Sequence, residues 1–62
     1  MTRYKFVETF TVTDEELERI VNEWVEAGWT FEGFQFAMRE SSKRPAMAFA
    51  IFTRELEEEG PN

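Results

Sequence analysis

Apolar and polar residues alternate through RYKFVETFTV (residues 3–12), with Tyr4, Phe6, Phe10 and Val12 on one parity and Lys5, Thr9 and Thr11 on the other. A period of two in a run rich in aromatic and β-branched types predicts a half-buried strand. Two neighbours break the pattern: Glu8 falls on the apolar parity and Val7 on the polar one.

The period then changes. Leu17, Ile20, Val21, Trp24 and Val25 recur at helical spacing and predict an amphipathic helix over 14–27. Thr13 is a suitable N-cap, and Glu16 completes the pattern of a capping box, in which cap and helix exchange hydrogen bonds. Asp14, Glu15 and Glu16 set negative charge at the positive end of the helix dipole. Gly28 follows the last periodic residue, where a left-handed residue ends many helices. Trp29 stands where such a stop is often anchored by an apolar contact.

A second strand is predicted over 30–39. Trp29 and Phe31 share one parity, whereas Phe34, Phe36 and Met38 share the other, and the flip falls at Gly33. A β-bulge at that glycine would restore a single apolar face; a regular strand would show aromatics on both. RESSKRP (Arg39 to Pro45) is a polar turn, in which Ser41 and Ser42 serve local hydrogen bonding. The third strand, 46–54, is apolar on both parities, which suits the middle of a sheet. The expected fold is therefore α+β: β-α-β-β, a three-stranded antiparallel sheet in the order 1-3-2 with one amphipathic helix on one face. Residues 1–56 make a single domain, and 57–62 make a frayed acidic tail.

One helix covers one face of a sheet, yet the third strand offers Met47, Phe49 and Ile51 to one side and Ala48, Ala50 and Phe52 to the other. A contiguous apolar face of that kind is rarely left exposed on a soluble monomer. The expectation is a homodimer, built sheet on sheet or by joined strand edges, with Phe34, Phe36, Phe49 and Ile51 as interface candidates. A groove for another partner or a ligand is the alternative.

Composition narrows the chemistry. The chain has 62 residues, no cysteine and no histidine, so disulfides, thiolate zinc sites and histidine-based catalysis are excluded. So small a domain needs either dense aromatic packing or oligomerisation for stability, and aromatic residues make up 16% of the chain. The net charge of −6 opposes direct nucleic-acid binding and anionic membranes. No apolar run reaches membrane-spanning length and the N-terminus shows no signal-peptide pattern, which together suit a cytoplasmic protein.

YKFVE (Tyr4 to Glu8) and EAGWTFEGF (Glu26 to Phe34) resemble a family of very small bacterial and phage domains of unknown function. These have an opening strand of the YK-V-V type and a Gly-Trp junction from helix to strand. The resemblance runs over residues 3–54. It implies the β-α-β-β fold and carries no activity. In the family KRP often follows the last strand, whereas here it precedes it, at Lys43 to Pro45.

No catalytic, cofactor or metal site is expected, and the protein is read as a non-enzymatic interaction module. Glu8 and Glu32 form a conceivable carboxylate pair, but Glu8 reads better as an edge residue reaching solvent or pairing with Arg3, Lys5 or Arg54. DEE (Asp14 to Glu16) and EEE (Glu57 to Glu59) lack the spaced oxygen ligands of a calcium loop. Glu15, Glu18 and Glu26 share the outward helix face with Asn22, and Glu23 lies beside them, with Arg19 expected to pair with Glu15. This row supports an alternative function: a phage-type acidic inhibitor whose Glu15, Glu18, Glu23 and Glu26 occupy a basic, nucleic-acid-binding surface of a host defence protein.

Overall fold

A computed structural model describes residues 1–38 and 45–56. Its elements are β1 (Thr2–Thr9), α1 (Asp14–Glu26), β2 (Thr30–Met38) and β3 (Pro45–Glu55). The sheet has the order β1-β3-β2, with β3 antiparallel to both neighbours. This is the α+β architecture expected from the sequence. The turn over 39–44, with Ser41, Ser42, Lys43 and Arg44, and the acidic tail over 57–62 lie outside the described residues.

The helix begins as its sequence dictates, with one change. Thr13 is extended (φ −128°, ψ 156°) and its hydroxyl accepts from the Glu16 N–H at 3.2 Å. The return arm of the capping box is diverted, because the Glu16 carboxylate binds the Arg19 guanidinium at 2.6 Å. Arg19 also donates to Glu23 at 2.8 Å. It therefore forks between Glu16 and Glu23 and does not make the expected pair with Glu15.

The helix ends in a Schellman motif. Gly28 has φ +103°, its N–H donates to the Val25 carbonyl at 3.0 Å, and the Trp29 N–H donates to the Trp24 carbonyl at 3.0 Å. Glycine adopts that φ without the Cβ conflict other residues meet.

The bulge expected in β2 is present. Phe31 lies opposite Phe52 and Gly33 opposite Ile51, so Glu32 is the additional residue, and Gly33 has φ +142°. Phe31, Phe34 and Phe36 consequently share the side of Phe52, Ala50 and Ala48. The rings of Trp24, Phe52, Phe31, Phe34 and Phe36 follow one another at centroid separations of 6.5, 5.6, 4.9 and 5.8 Å. Ile20, Ala50 and Phe52 are buried at the centre, with Val7, Trp24, Trp29, Phe31 and Phe34 packed around them.

Strand β1 presents the opposite parity from the one its alternation suggests. Val7 pairs with Ala50 on the helix side, flanked there by Lys5 and Thr9, while Tyr4, Phe6 and Glu8 share the other side with Thr53, Ile51 and Phe49. The small side chains of Ala48 and Ala50, both buried, leave room beneath α1, and the bulge commits the β2 aromatics to the same side. Register with β3 then fixes which β1 residues join them. The two positions that break the β1 pattern are thus explained together: Val7 points to the core and Glu8 to solvent. The strand also ends early, at Thr9, because the Thr9 hydroxyl accepts from the Thr11 N–H at 3.1 Å and bends the chain, so Phe10 and Val12 lie beyond it.

Candidate functional site

The face of the sheet away from α1 is open and apolar at its centre. Phe6 stands opposite Ile51, and Phe49 opposite both Glu8 on β1 and Gln35 on β2. Tyr4 is 65% exposed and Phe6 is 63% exposed, fractions that leave most of each ring in water. Phe6, Gln35, Phe49 and Ile51 line a shallow cleft of about 280 Å³. The periphery is acidic. Glu8 is exposed on β1, Glu32 accepts from the Thr53 hydroxyl at 2.6 Å, and Glu55 accepts from Thr2 at 2.8 Å and from the terminal amine at 2.9 Å. Those last two contacts hold the Glu55 carboxyl below its ordinary range, the amine bond being the larger cause. Among the described residues no lysine or arginine shares this face.

The four interface candidates divide between the two sides. Phe49 and Ile51 belong to the open face. Phe34 packs in the helix-side core, and Phe36, 48% exposed, continues from it beyond the helix. Sequence parity pointed to Phe49 and Ile51 and did not add Tyr4 and Phe6 to the interface candidates, because the apolar parity of β1 does not say which face of the sheet meets the helix. The signal that could have found them is the Val7–Glu8 pair, which is out of phase with its strand.

Glu15, Glu18, Glu23 and Glu26 are all exposed on α1. Arg19 stands among them and neutralises part of the row through Glu16 and Glu23. Its guanidinium lowers the Glu16 pKa, chiefly by the direct hydrogen bond.

Glu8 and Glu32 are carried on β1 and β2, on either side of β3, so at least two strand spacings, roughly 10 Å, separate their backbones. Among the described residues no cluster of three potential metal ligands occurs, and no helix is long and apolar enough to cross a membrane. No family model, no curated protein and no solved structure matches the chain.

Proposed function

We propose that this protein is a non-enzymatic interaction module that forms a homodimer by packing the open faces of two sheets. The observation that carries the reading is the exposure of Tyr4 and Phe6 beside Phe49 and Ile51, on a face that α1 does not cover. A second copy is the favoured occupant: a two-fold axis sets the same apolar patch of each subunit against the other, so one contact covers the open face of both. Burial at about 25 cal/mol per Å² over a few hundred Å² per subunit would contribute several kcal/mol, which is large for a domain of this size.

The acidic rim sets the sign of the salt dependence. Two copies that each carry −6 repel one another, so screening should strengthen the homodimer. Sedimentation equilibrium at micromolar concentration tests this. The expected result is a concentration-dependent mass above 7.4 kDa that rises with salt and falls to the monomer value in Phe6→Glu. A parent chain that stays at the monomer mass at every concentration and salt overturns it.

The exposure of Glu15, Glu18, Glu23 and Glu26 on the outer face of α1 favours a second reading, the capture of a basic protein surface. That complex would weaken with salt and with charge reversal at Glu15, Glu18 and Glu26, and would be indifferent to Phe6→Glu.

A further inference from the structure

The cations of this acidic chain are unevenly placed. Arg3 on β1 lies directly opposite Arg54 on β3, and Lys5 follows on the same side of the sheet, opposite Phe52. Like charges directly opposite on adjacent strands are destabilising. Among the described residues, none of the three forms an ion pair with a carboxylate. Instead the Lys5 ammonium sits 4.3 Å from the Trp24 ring centroid and 5.8 Å from that of Trp29, and the Arg54 guanidinium lies 5.6 Å from the Trp29 centroid. These contacts hold Lys5 and Arg54 in place without neutralising them.

The three cations open onto one cavity of about 430 Å³ beyond the C-terminal end of α1, with Tyr4, Phe6, Trp29 and Leu56 also in its wall and, among the described residues, no carboxylate lining it. That volume falls in the range of small-molecule sites. Two guanidinium forks and an ammonium match an oxyanion that carries at least two charges and several acceptor oxygens.

We propose that the cavity bounded by Arg3, Lys5, Arg54 and Trp29 is a binding site for a small phosphate-bearing ligand. The anion neutralises the opposed Arg3 and Arg54 and takes the remaining donors of Lys5, while Trp29 forms the apolar wall. The cationic side chains lie on the helix side of the sheet, and the cavity reaches the β1 edge, where Tyr4 and Phe6 belong also to the open face assigned above to self-association.

The chain's two tryptophans, Trp24 and Trp29, both lie beneath these cations, so their fluorescence reports on the site. The full chain is titrated with inorganic pyrophosphate at constant ionic strength, against sodium chloride as control, with fluorescence and backbone amide shifts read in parallel. Saturable binding is expected, weakened at least fivefold by Arg3→Gln and by Lys5→Gln and less than twofold by Arg19→Gln, which removes the same charge from the helix surface. Arg3→Gln relieves the opposed charges, so it is expected to melt no lower than the parent, and its loss of binding cannot be ascribed to unfolding. A parallel titration with adenosine diphosphate separates the two sources: tighter binding than pyrophosphate identifies a phosphate ester, and equal binding identifies the inorganic anion. A response that is non-saturating or matched by chloride overturns the proposal, as does an equal effect of Arg19→Gln and Arg3→Gln.

Discussion

Trp29 donates its backbone N–H to the carbonyl of Trp24 at 3.0 Å, and a single lysine, Lys5, lies over both indole rings. The helix stop, the entry to β2 and the outer strand β1 are thereby joined at one point. Gly28 makes the arrangement possible, and an added Cβ there would meet only the Arg54 guanidinium, at an unstrained 3.9 Å. The expected loss in Gly28→Ala is therefore conformational and not steric, on the order of 1 kcal/mol, read as a lowered urea midpoint. An unchanged midpoint would show that the positive φ carries no penalty.

The bulge invites a paired test. A Cβ on Gly33 would touch nothing within 4 Å, yet φ +142° is unfavourable for any other residue. Gly33→Ala should cost about 1 kcal/mol by denaturant unfolding. Deleting Glu32 removes the bulge while keeping Phe31 and Phe34 on one side. That deletion variant should fold cooperatively and lose only the Thr53 contact.

The inverted parity of β1 predicts an unusual contrast between neighbours. Val7 packs against the core, so Val7→Ala should destabilise by about 1–2 kcal/mol despite the small change in side chain. Phe6 is mostly exposed, so Phe6→Ala should leave the unfolding free energy of the monomer nearly unchanged although it removes a whole ring. For scale, Phe52→Ala in the centre of the core should cost about 3–5 kcal/mol, comparable to the whole stability of a small domain. Chemical denaturation at low protein concentration separates these effects from the proposed self-association.

Two carboxyls tie stability to acid pH. Glu16 is held below its ordinary value of 4.5 by Arg19, and Glu55 below the same value by the terminal amine and Thr2. Because both folded pKa values are depressed, the charged forms favour the folded state. Their contribution is complete above about pH 4.5 and is lost as pH falls through the lowered values. Both groups are on the surface and screened, so the expected effect is a modest fall in melting temperature between about pH 5 and pH 3, smaller in high salt. Glu16→Gln should flatten part of that slope in thermal melts followed by circular dichroism.

Most of the architecture was legible along the chain because its signals are local. Thr13, the stripe from Leu17 to Val25, and Gly28 specify a helix through contacts within a few residues, and the structure places α1 at Asp14–Glu26. The apolar run from Ala46 to Phe52 marks a strand covered on both edges, which makes β3 central. Parity also revealed that a second apolar face must exist. Which β1 residues line it was beyond local reading. An alternating strand states that its two sides differ, but the side that meets the helix is set by register with β3 and by the bulge in β2, through partners distant in the chain, such as Val7 with Ala50 and Phe31 with Phe52. The opposition of Arg3 and Arg54 has the same origin: residues at nearly opposite ends of the chain acquire a shared cavity only when the first and last strands pair.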